Sequence, residues 1–320
     1  VNFANTALTK PENILTEFGN ETIVRNALRN CLEFIEPHVP DLEKLAELRC
    51  CSKRLYVEKI LHASCIEIMR EYGNLEGIKP ALLVALKTTA NTRYDAVDEV
   101  EHNRLQAEVN RLLFPEQKKA EQFLRHYVEP QFANTECKHP TVELLQYDDV
   151  FSTLKSGLSI EWLERFQELE YHAMDTLFEL AARFGERERL NRLILTRSSD
   201  MLTQWPAPKD DEKFKQRRNF WFVRAFYFLS QEVACPYFDC LKPDRNSVLL
   251  FEHRSGRMNR GEHDPWPWLS ALKIELIMNA FFDKWPKVDL PSHWGSVSPV
   301  GETAYRFLTE IVWTISHDSP

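Results

Sequence analysis

Glycine is scarce in this chain, with nine among 320 residues. A fold built from tight β-hairpins needs many more, because the favoured two-residue turns require positive φ, so an all-β architecture is disfavoured. Long apolar runs are also missing. None approaches the roughly 18 to 20 residues of a membrane-spanning helix, and the N-terminus lacks the charged-then-apolar layout of a signal peptide. Nor is there a disulfide framework: the seven cysteines are odd in number, Cys50 and Cys51 are adjacent, and several others fall inside helical patterns. That usage points to a reducing compartment and a cytoplasmic location. Positive charge is in deficit, with a formal net charge of -8 and a pI near 5.8, which argues against indiscriminate nucleic-acid binding.

The common catalytic signatures are missing as well. The chain contains no G-x-x-x-x-G-K-[ST] phosphate loop, no G-x-G-x-x-G, no H-E-x-x-H and no G-x-S-x-G, so familiar nucleotide, metalloprotease and hydrolase readings have no anchor.

What is present is helical periodicity from end to end. Ala304, Phe307, Leu308, Ile311, Val312 and Ile315 form one apolar stripe, with Ser298 and Pro299 as a helix start just before it. Val57, Ile60, Leu61, Cys65 and Ile68 repeat the spacing, as do Leu105, Val109, Leu112 and Leu113. Met174, Leu177, Phe178 and Ala181 line one arm of a helical hairpin. Gly185 is placed to end that arm, and Leu190, Leu193 and Ile194 line the second. Ser159 is the expected N-cap of the short helix IEWLERF just upstream. The expected fold is all-α: an irregular helical-repeat array of paired amphipathic helices, of the TPR or HEAT kind.

Composition shifts at NTECKHP (134–140) and at WPAPKDDEKFKQRR (205–218), where prolines and a charge run mark a linker. The expected segments are 1–138, an N-terminal helical segment; 139–208, helical hairpin repeats; and 209–320, an aromatic-rich C-terminal segment holding most of the tryptophans. The chain opens on Val1, which raises the expectation of a piece of a longer polypeptide.

Chemistry-bearing residues concentrate in CPYFDCLKPDRNSVLLFEHRSGRMNRGEH. Cys235, Cys240, His253 and His263 half match a Cys2His2 zinc site, although the last gap is longer than the usual three to five. The alternative is an ordered connection between helices whose cysteines pack inward as small hydrophobes. Asp244, Glu252 and Arg254 faintly echo a metal-dependent nuclease core. Arg254, Arg257 and Arg260, spaced by glycines, could grip a phosphate or an acidic surface, or simply sit in a solvated loop. The basic run KFKQRR followed by Phe220 and Trp221 fits either a single-strand nucleic-acid platform or, preferably, a charged first turn leading into a buried aromatic helix. Asp148 and Asp149 would diverge by about 100° on a helix, and read as surface charge.

Two passages carry a resemblance. HPTVELLQ, continuing through SIEWLERFQELEYHAMDTLFELAARFGERERLNRLILTR, and WLSALKIELIMNAFFDKWPKVDLPSHWGSVSPVGETAYRFLTEIVWTI resemble the helical C-terminal regions of bacterial STAND NTPases, the NACHT-like anti-phage proteins that include the Avs group. The resemblance covers 139–197 and 266–315. It implies a sensor that binds a phage protein by shape and thereby frees an NTPase core to oligomerise and activate an effector. ATP and Mg²⁺ would belong to a portion outside this sequence, and no nucleotide-binding residue is carried over.

Helical arrays recognise proteins through distributed contacts, in which aromatics and arginines dominate the energetics. The partner-binding candidates are therefore Trp205, Trp221, Arg254, Arg257, Trp266 and Trp268. Three functions compete: the sensor module, a stand-alone helical scaffold, and a metal-dependent enzyme built on 235–263.

Overall fold

A computed structural model of the chain describes residues 2–89, 97–204, 211–243, 247–248, 250–251, 264–284, 309 and 311. Among them every regular element is helical and none is a strand, so the all-α array is what the chain forms. Two compact units divide it, Val1–Leu177 and Phe178–Pro320.

The first unit begins with α1 (Asn2–Thr9), α2 (Ile14–Phe18), α3 (Glu21–Asn30) and α4 (Leu32–Ile35). Next come α5 (Leu42–Cys50), α6 (Tyr56–Tyr72), α7 (Pro80–Lys87) and α8 (Glu99–Leu113). It continues through α9 (Gln117–Ala133), α10 (Glu143–Tyr147) and α11 (Lys155–Arg165) into α12 (Tyr171–Phe184). Short 3₁₀ turns at Pro11–Asn13, Glu36–His38 and Asp149–Leu154 redirect the chain.

Local chemistry sets these boundaries. Asn20, Asp41 and Asp98 each accept a hydrogen bond from the backbone N–H three residues on, at 3.0, 2.9 and 2.7 Å, satisfying donors that the first helical turn leaves orphaned. Gly19 and Gly73, both at φ +76°, close α2 and α6 in the left-handed conformation that a side chain resists. Because the first turn of α8 would lose its capping acceptor, Asp98→Ala should cost about 1 kcal/mol. Urea denaturation followed by circular dichroism measures it, and an unchanged midpoint would show the cap to be dispensable.

At the centre of this unit lies α6. It packs against α1, α3, α4, α7 and α8, and its residues are buried on almost every side from Leu61 to Met69. Two glutamates go inside with it, each compensated. Glu58 caps the helix by accepting from Leu55 N–H at 2.8 Å and pairs with Arg49; Glu67 pairs with Arg25 and Arg70 at 2.5 and 2.7 Å.

Ser159 is not an N-cap. α11 starts four residues earlier, and the Ser159 hydroxyl donates back to Lys155 O at 2.5 Å, a mid-helix arrangement. Burial of Leu158 beside Ile160, Trp162 and Leu163 draws the preceding turn into the helix. The expected hairpin arms do form: Met174, Leu177, Phe178 and Ala181 are buried on α12, which ends at Phe184 just before Gly185.

In the second unit, α13 (Arg187–Thr203), α14 (Glu212–Phe228) and α15 (Gln231–Leu241) pack in succession, and α16 (Ala271–Lys284) is the last described helix. Leu190, Leu193 and Ile194 are buried on α13. Asp211 caps α14 by accepting from Phe214 N–H at 2.8 Å. The basic run then leads into a segment buried continuously from Phe220 to Tyr227, the core role preferred over a nucleic-acid platform. Phe226 stacks on Phe238 with ring centroids 4.7 Å apart, and meets Phe251 at 5.2 Å. The buried Lys273 ammonium donates to Phe226 O and Leu229 O at 2.5 and 2.6 Å, satisfying carbonyls that the end of α14 leaves open. Of the stripe read at 304–315, Ile311 alone is among the described residues; the rest, with the linker residues 205–210, lies outside them.

Candidate functional site

α5, α9 and α11 wall an open groove of about 640 Å³. Leu42, Pro130, Ala133 and Phe166 give it apolar surface, and Asp41, Glu43, Arg125, His126, Glu129 and Arg165 give it charge of both signs. Glu129 organises one side: its carboxylate accepts from Trp162 Nε1–H at 2.9 Å, from Arg125 at 2.9 Å and from Arg165 at 2.7 Å. Arg125 is gripped further by Glu161, at 2.5 and 2.8 Å, and by Glu121 at 2.9 Å. These contacts, the Glu161 pair foremost, hold its guanidinium above the usual arginine range. Arg165 lies over the Phe166 ring at 4.9 Å, and Phe166 rests on Phe132, which meets the buried Trp162 edge-on. The groove therefore sets an aromatic step and the Arg165 guanidinium beside the fixed Arg125 and Glu129 pair.

Deeper in the same unit, α8 aligns His102, Gln106 and Asn110 at four-residue spacing on one face. His102 stacks on the wholly buried His62, with ring centroids 6.3 Å apart and planes 16° from parallel. Burial, and then the neighbouring His102, lower the His62 pKa to about 4, so its imidazole is neutral near pH 7. Further along, Asn110 donates to Asp148 at 3.2 Å, and Asp148 also accepts from Lys87, whose ammonium sits 5.5 Å from the centre of the Phe151 ring. Asp148 is thus an interior counter-ion rather than surface charge. Asp149 is exposed, as expected.

Of the residues that the sequence proposed as binding or metal sites, Trp221, Trp266, Trp268, Cys235 and Cys240 are among the described residues. Trp221 and Trp266 are each only 3% exposed. Trp266 donates its indole N–H to Glu179 at 2.8 Å and packs against Tyr227 and Phe228. Both are core residues, because aromatic α14 needs bulky partners, and neither can anchor a partner protein. Trp268 is 48% exposed and keeps that possibility. Trp205, Arg254 and Arg257 lie outside the described residues.

Cys235 and Cys240 both fall on α15. Five residues apart on a helix, they point about 140° away from one another, so their sulfurs do not face a common ion. His253 and His263 are outside the described residues, as are Asp244, Glu252 and Arg260. Among the described residues no group of three or more His, Cys, Asp or Glu is placed to hold a metal.

The groove residues were not singled out in the sequence. Glu121, Arg125 and Glu129 do show four-residue charge spacing on α9, but that pattern marks any solvated helix face. Only the arrival of Phe166 and Arg165 from α11 turns it into a site. No described helix is long and apolar enough to cross a membrane. No protein-family model, no curated protein and no solved structure matches the chain.

Proposed function

We propose that this chain is a protein-recognition module, and that the groove between α5, α9 and α11 receives a partner segment carrying an apolar anchor side chain. The observation that carries this reading is the pairing of Phe166 with Arg165 at the edge of a 640 Å³ recess in which Arg125 and Glu129 are already fixed in ion pairs. Aromatic and arginine side chains contribute most to protein interfaces, and pre-paired polar groups lose little freedom on binding. Paired helices also present their surfaces without the backbone edges that would invite indiscriminate association.

The resemblance to STAND NTPase sensor regions supplies the setting. The partner is a phage protein, and its capture is coupled to oligomerisation of an NTPase core that holds ATP and Mg²⁺ in sequence outside this chain. On this reading the native gene encodes a G-x-x-x-x-G-K-[ST] motif upstream of Val1, which sequencing the locus checks directly.

The binding test uses immobilised chain in lysates of infected and uninfected bacteria, with quantitative mass spectrometry. The expected result is a phage protein enriched from infected lysate and depleted at least tenfold when Arg165→Glu and Phe166→Ala are combined. The ΔΔG implied is about 1.4 kcal/mol or more. Equal retention by both forms, with the variant shown folded by circular dichroism, would remove the groove from the recognition surface.

A further inference from the structure

The charges around the groove between α5, α9 and α11 are unevenly used. Arg125 is held by Glu121, Glu129 and Glu161, and Arg165 is held by Glu129. Asp41 and Glu43, on the α5 wall, are exposed, and neither makes an ion pair among the described residues. Asp41 accepts from Lys44 N–H at 2.9 Å through one oxygen, and the Lys44 ammonium is itself taken by Glu47. Two arginines thus stand among five carboxylates, those of Asp41, Glu43, Glu121, Glu129 and Glu161. His126 adds at most one positive charge, so the balance stays negative.

Apolar surface lies beside this field. Leu42 sits between the two acids in sequence, and Pro130, Ala133 and Phe166 continue the recess on α9 and at the end of α11. An occupant that buries an apolar side chain here brings its own charges close to the α5 wall. A cation gains two carboxylates that have no competing partner. An anion meets like charge, while both arginines are already engaged.

We infer, resting on the recognition reading above, that the groove selects a basic, apolar protein segment, one in which a Lys or Arg lies within a few residues of an aliphatic or aromatic side chain. The cation faces Asp41 and Glu43, and the apolar side chain enters the recess bounded by Leu42, Pro130 and Phe166. Complementarity of this kind speeds encounter and rejects wrong partners, and salt weakens it. Acidic segments are refused by the same field.

The test selects a displayed library of random dodecapeptides on the immobilised full chain, then measures synthetic copies of the selected peptides by fluorescence polarisation. Peptides that need the groove are those that lose binding to the form combining Arg165→Glu with Phe166→Ala. They are expected to carry a Lys or Arg near an apolar residue, and to bind about tenfold or more weakly when Asp41→Asn and Glu43→Gln are combined. Asparagine still accepts the Lys44 N–H, so α5 keeps its cap, which circular dichroism and thermal unfolding check. Replacing the peptide's basic residue by glutamine should weaken binding to the wild type and change little on the neutralised form, the coupling that a direct contact produces. Groove-dependent peptides that are acidic or uncharged, or that bind the neutralised form as tightly as the wild type, overturn this inference and leave the groove as a recognition site. A selection in which no peptide depends on Arg165 and Phe166 overturns both.

Discussion

Replacing Lys87 by methionine should lower the unfolding free energy by about 3 kcal/mol, the loss expected when one member of a buried ion pair is removed. Lys87 is 0% exposed and its ammonium donates to Asp148. Burial lowers its pKa and the Asp148 charge opposes that shift, so the cation stays inside only because its partner is there. Methionine fills nearly the same volume, which keeps a cavity from contributing to the result. What remains is a carboxylate, 17% exposed, with Asn110 and the Val150 N–H as its other donors. Asp148→Asn in the same background should recover at least half of the loss, because asparagine keeps the cap on Val150 and needs no counter-charge. Urea titrations of the wild type, both single variants and the double variant close the cycle. Strict additivity would mean that Lys87 acts through packing alone and that the pair is incidental.

That pair also shows where sequence legibility stops. Helical periodicity exposes the buried faces of α8, α12 and α13, because the side chains that make the stripe are neighbours along one helix. Lys87 and Asp148 are brought together by the packing of separate elements. Nothing in the local pattern of either residue separates an interior ion pair from a solvated charge. Trp221 and Trp266 fail for a related reason. An aromatic residue has the same composition signal whether it fills a core or anchors an interface, and its burial in the fold decides between them. Ser159 has the chemistry of a cap, but the tertiary burial that extends α11 upstream places it in mid-helix. The groove is the least legible feature, since its walls come from α5, α9 and α11 and its character depends on their meeting.

Acid should destabilise the first unit in a range set by His62. Its ordinary pKa of 6.5 falls to about 4 in the fold, so the unfolded chain takes up a proton that the folded chain refuses between those values. Stability linked to this group is therefore complete above pH 6.5 and is lost progressively as pH falls through 4, by about 3 kcal/mol in all. The imidazole is wholly buried on α6 beside His102, and α6 contacts five other helices, so the loss is felt cooperatively across the unit rather than as a local opening. Unfolding free energies measured in urea at pH 7.5, 6.5, 5.5 and 4.5 trace the slope. His62→Gln removes the titrating group but keeps a polar side chain in the site. Whatever its absolute stability, the variant's curve should be flatter than the wild type's across that range. Parallel curves would assign the acid sensitivity to the carboxylates, and would mean that His62 carries its proton on folding.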